Sequence, residues 1–99
     1  MSWCSVRCLY RWSEGVYEER ITVWETDSLD EAIRMAEHEA SDYVIGTDSE
    51  YLGLAQAYHM FDALESGSEV FSLVRESALG PDQYLDAFFE TGTERQELA

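Results

Sequence analysis

Gly67-Ser68-Glu69-Val70-Phe71-Ser72-Leu73-Val74-Arg75 is the stretch on which the fold turns. A Gly-Ser turn signal opens it, β-branched and aromatic residues fill it, and Ala78-Leu79-Gly80-Pro81 closes it, the pattern of a sheet strand. Alternation sets Phe71, Leu73 and Arg75 on one face, with Val70, Ser72 and Val74 on the other. Apolar side chains on both faces predict a strand with material packed above and below it.

The segment before it, Tyr51 to Leu64, fits two periods. Leu54, Ala57, Tyr58, Phe61 and Leu64 make a helical stripe, whereas Leu52, Leu54, Tyr58 and Met60 alternate along a strand face. Gly53 weakens a helix interior, and Glu65-Ser66-Gly67-Ser68 supplies a turn, so strand is the reading for most of it and a hairpin with 67–75 follows. After the break, Gly80-Pro81-Asp82 starts a short helix with an aromatic face of Tyr84, Leu85, Phe88 and Phe89, ended by Gly92.

The N-terminal half reads similarly. Cys4, Val6, Cys8, Tyr10 and Trp12 share one strand face, and Trp3, Ser5, Arg7, Leu9 and Arg11 share the other. Ser13-Glu14-Gly15 is a turn signal, which predicts an antiparallel return over Val16 to Thr26. The expectation is that Tyr17, Ile21 and Val23 face inward, leaving Trp24, Thr22 and Arg20 outward beside Trp3. Ser28 with Glu31 three residues on is a capping-box pattern that opens a helix. Leu29, Ala32, Ile33, Ala36, Ala40, Tyr43 and Val44 form its apolar face, Glu31, Arg34, Glu37, His38 and Asp42 its solvated one, and Gly46 its end.

The order expected is therefore ββαββα, an α+β domain over 1–92 with a four-stranded antiparallel sheet and two helices on one face. Residues 93–99 are a polar C-terminal tail. A single domain suits 99 residues.

Twenty-one acidic residues against six basic ones, all arginine, give a formal net charge of −15. Such a surface lacks the basic footprint that binds nucleic acid or anionic membrane directly. A basic protein partner, a nucleic-acid mimic, an immunity-type inhibitor and adaptation to a salty medium all suit it. Cys4 and Cys8 lie four apart in a strand, so their Cα atoms stand roughly 13 Å apart, beyond disulfide reach; they read as reduced packing residues. With no signal-peptide pattern and no long apolar run, the expectation is a soluble cytoplasmic protein.

Chemical signatures are sparse. His38 and Asp42 share a helix turn but do not complete a metal site, and His59 lies on another element. No phosphate loop, dinucleotide fingerprint, nucleophile elbow or calcium loop occurs, so no catalytic residue, metal or cofactor is assigned. Paired carboxylates such as Glu18 and Glu19 leave a small carboxylate-based enzyme as a further alternative.

The outer sheet face is the stronger candidate for function. Trp3, Leu9, Trp24, Val70 and Val74 would form an aromatic and aliphatic surface opposite the helices, with Arg20, Glu69 and Arg75 as charged anchors or cross-strand pairs. Large apolar patches and Trp are enriched at interfaces, and a homodimer needs only one self-complementary patch.

Trp3-Cys4-Ser5-Val6, Glu18-Glu19-Arg20-Ile21, Asp30-Glu31-Ala32 with Ala36-Glu37 and Tyr43, and Gly67-Ser68-Glu69-Val70-Phe71-Ser72 resemble an uncharacterised family of small bacterial domains of unknown function. The resemblance implies an α+β fold and carries no assigned substrate or site residue.

Overall fold

The computed structural model describes residues 2–89 and 91. Gly92 and the 93–99 tail lie outside them. Strands β1 (Trp3–Ser13), β2 (Val16–Glu25) and β3 (Glu50–Met60) form an antiparallel sheet in the order β2-β1-β3. Helix α1 (Leu29–Tyr43) lies between β2 and β3 in the chain, and a short helix α2 (Pro81–Tyr84) continues into a π-helical turn, Leu85–Phe89. No helix among the described residues is long and apolar enough to cross a membrane.

Helix α1 forms as its sequence dictates. The Ser28 side chain accepts from the Glu31 amide at 3.2 Å, and Asp30 and Glu31 sit against the positive helix start. Its buried stripe is Ala32, Ala36 and Ala40, which meets Cys4, Val6, Cys8 and Tyr10 of β1. Alanine side chains let helix and sheet approach closely, so the core is narrow and β1 is its centre. Burying Val6 alone contributes about 2 kcal/mol. Ile33, Tyr43, Val44, Tyr51, Ala55 and Ala57 close the rim of this cluster.

The β1–β2 hairpin reverses the expected faces of β2. A direct two-residue turn at Glu14-Gly15 would pair Cys8 with Ile21 and Val6 with Val23. Instead the register slips between Arg11 and Ser13, so that Cys8 opposes Arg20, Val6 opposes Thr22 and Cys4 opposes Trp24. One extra residue on one strand exchanges every side chain between the two faces. Trp24 therefore packs on the core beneath α1, while Tyr17 and Ile21 are exposed on the far side, Ile21 at 43%.

Strand β3 carries a second irregularity. Cys8 opposes Ala55 but Tyr10 opposes Tyr51, so β3 holds extra residues between them. Gly53 sits there at φ +76, a left-handed backbone that glycine adopts without a Cβ penalty. Because the excess is two residues, Tyr51, Ala55 and Ala57 all stay on the helix side. Tyr58 and Met60 fall on the opposite face with Ser5 and Trp3.

The four-stranded ββαββα expectation is overturned. The described elements run ββαβα with a three-stranded sheet, and the stretch 67–75 is not a strand. Ser68 closes a tight loop, donating through its hydroxyl to the Ala63 carbonyl at 2.7 Å and accepting from the Glu65 amide at 2.8 Å. The chain then crosses the sheet face away from α1, where the Ser5 hydroxyl takes the Val70 carbonyl. A carbonyl held this way is removed from any ladder with β3. Nor do two helices share one face: among the described elements α2 packs only with the turn that follows it.

Candidate interaction surface

The face of the sheet away from α1 is laid out by register. Across β2, β1 and β3 it places Glu25, Trp3 and Met60 in one row, Val23, Ser5 and Tyr58 in the next, then Ile21, Arg7 and Gln56. Leu9 stands beside Glu19. The segment 69–71 lies over the middle of this array. Ser5, fully buried although polar, donates to Val70, which satisfies a hydroxyl that burial would otherwise penalise. Tyr58 donates to Glu69 Oε2 at 2.7 Å. The Phe71 ring lies 5.9 Å from that of Tyr58, with the Arg7 guanidinium 5.4 Å from its centroid. Arg7 also meets Glu19 at 2.6 Å, so one arginine joins β1, β2 and the crossing strap.

Ser72 also reaches the Tyr58 hydroxyl, and beyond it the strap is exposed. Leu73 is exposed, and Val74 is 92% exposed. Among the described residues, no backbone-to-backbone hydrogen bond joins any position of 69–77 to the rest of the chain. Arg75 turns to the C-terminal helical segment, donating to Tyr84 Oη at 3.2 Å and lying 4.3 Å from the Phe88 centroid. Leu85, Phe88 and Phe89 are exposed on that segment, as is Leu79 just before it.

Of the residues expected at this surface, Trp3 and Leu9 are half-buried on the outer face, Val70 is half-buried over it, and Glu69, Val74 and Arg75 are exposed along the strap. Trp24 and Arg20 belong to the other side. Arg20 pairs with Glu39 of α1 and stacks 3.8 Å from the Tyr43 centroid. The Glu39 hydrogen bond pushes its already high pKa further up. Tyr43 donates to both oxygens of Glu18, and Tyr51 donates to Glu37 at 2.7 Å. Burial first, and then these carboxylates, push both phenols up. Tyr10 packs between the two rings at 5.3 and 5.6 Å. This polar end of the helix–sheet layer is closed on itself and orients α1. It also moves Glu37 from the solvated helix face to a half-buried position.

The thiols of Cys4 and Cys8 are free and buried, and burial pushes both pKa values up, which keeps them in the unreactive protonated form. His38 reaches Asp42 at 3.9 Å on the exposed side of α1. No group of three or more His, Cys, Asp or Glu side chains among the described residues is placed to hold a metal ion.

Ser5, Arg7, Tyr58 and Phe71 are the surface residues that the sequence did not single out. A serine amid outward-facing large side chains was the available signal. No family model, curated protein or solved structure matches the chain, so nothing tests the resemblance carried by Trp3–Val6, Glu18–Ile21, Asp30–Ala32, Ala36-Glu37, Tyr43 and Gly67–Ser72.

Proposed function

We propose that this chain is a small acidic protein-interaction domain that self-associates through the outer face of its sheet and the strap crossing it. The supporting observation is the incomplete cover on that face. Helix α1 shields one side of the sheet, whereas among the described residues the strap at 69–72 crosses part of the other and leaves Tyr17, Ile21, Leu73 and Val74 exposed. Exposed apolar surface of this kind, rimmed by charge, is characteristic of interfaces. A twofold pair requires nothing beyond one surface complementary to itself.

Light scattering across a concentration series tests the reading, with Ile21→Glu as the variant. Ile21 is outside the core, so this change leaves the fold intact and places a charge on the outer face. The expected result is a wild-type dimer that the variant converts to monomer. A wild type that stays monomeric and instead captures a basic protein through its acidic rim, with binding lost at high salt, would contradict it.

A further inference from the structure

The segment 69–75 is complementary to itself. Written against its own reverse, Glu69 meets Arg75, Val70 meets Val74, Phe71 meets Leu73 and Ser72 meets Ser72. Opposite charges coincide at both ends, apolar residues coincide between them, and the smallest side chain falls at the centre. These are the cross-strand pairs that stabilise an antiparallel ladder.

The structure leaves this segment ready for such a use. Its composition is that of a strand, yet within the chain it forms none, and among the described residues its backbone groups make no ladder bonds. In an extended chain successive backbone groups point to opposite sides. The Val70 carbonyl is taken by Ser5, so a ladder to a second copy would use the alternate positions Phe71 and Leu73. Glu69 engages Tyr58 through Oε2, and Arg75 engages Tyr84 through one guanidinium nitrogen. Each keeps further capacity for a partner, as carboxylates and guanidinium groups allow.

We propose that segment 69–75 pairs antiparallel with the same segment of a second copy of this chain, about a twofold axis through Ser72. The inference rests on self-association through the outer face and specifies the contact at its centre. Phe71 and Leu73 supply the ladder bonds, while Ser72 occupies a non-hydrogen-bonded site beside its own mate. The pairing carries the outer faces of the two copies toward each other.

Two measurements on the full chain test it. At a non-hydrogen-bonded antiparallel site the facing Cα atoms are about 4.5 Å apart, which a disulfide spans. Ser72→Cys therefore gives a covalent dimer on treatment with diamide. Val74→Cys does not, since the two copies of position 74 lie roughly 14 Å apart. Second, Glu69→Arg and Arg75→Glu each set like charges opposite one another and weaken the dimer at least tenfold. An equal mixture of the two variants restores opposite charges at both ends and recovers a wild-type-like dimer, which a folding defect would not allow. A dimer that survives both single charge changes, or that leaves Ser72→Cys unlinked, overturns the strand pairing. If Ile21→Glu still dissociates that dimer, self-association through the outer face stands without it. A monomeric wild type overturns both.

Discussion

The Ser5 hydroxyl donates to the Val70 carbonyl across 65 positions of sequence, joining the first half of the central strand to the strap above it. Ser5 is fully buried because of that strap. Ser5→Ala leaves the carbonyl without its donor at a cost of about 1 kcal/mol. The expected outcome is faster amide exchange and proteolysis confined to 69–75, with a small drop in melting temperature. Loss of the whole fold in this variant would show that the strap is integral to the core.

The β1–β2 bulge makes Trp24 and Tyr17 opposite in consequence. Trp24→Glu places a charge under α1, beside the Cys4 cluster, and costs several kcal/mol, enough to unfold a small domain. Tyr17→Glu falls on the exposed face and stays within about 0.5 kcal/mol. Circular dichroism melts separate the two. The reverse order, with Tyr17→Glu unfolding the domain and Trp24→Glu tolerated, would restore the direct-turn register.

Much of the layer was legible in the chain. Alternation marked the inner face of β1 from Cys4 to Tyr10, although Trp12, expected there too, is exposed; the alanine stripe with its Ser28 cap marked α1, because those signals are local and strong. The faces of β2 were not, since they depend on one extra residue near Trp12, and Tyr17, Ile21 and Val23 are as apolar as an inward set would be. The stretch 67–75 has the composition of a strand and crosses the outer sheet face without becoming one. Composition does not encode where its carbonyls find donors, and the Val70 carbonyl finds the buried Ser5 hydroxyl rather than a β3 amide. Arg20 illustrates the same limit: its partner Glu39 lies on α1, and no spacing rule links them.

Arg20 anchors α1 through Glu39 and Tyr43, whereas Arg34 meets Glu31 at 3.4 Å on the exposed helix surface. Arg20→Met removes a half-buried pair and a ring contact, an expected loss of about 1–2 kcal/mol after allowance for its partial exposure to solvent. Arg34→Met changes stability by no more than about 0.5 kcal/mol. Denaturant midpoints measured side by side give the comparison. A larger effect at Arg34 would contradict the placement of Arg20.

Alkaline pH attacks the same layer. Burial raises the pKa of the Cys4, Cys8, Tyr10, Tyr43 and Tyr51 side chains above the ordinary values of 9.0 for the thiols and 10.0 for the phenols. A raised acid is held protonated by the fold, so its contribution is complete below the unfolded value and is lost as pH rises toward the folded one. The melting temperature is therefore expected to fall progressively above pH 9, with tyrosinate absorbance from these rings appearing together with unfolding. Ionisation of all six tyrosines with the fold intact would count against the packing described.

The most direct measurement is amide hydrogen exchange of 69–75 as a function of protein concentration. Pairing between copies predicts that protection of Phe71 and Leu73 rises as the chain is concentrated, while α1 is unchanged. Exchange in this segment that stays fast and independent of concentration would contradict it.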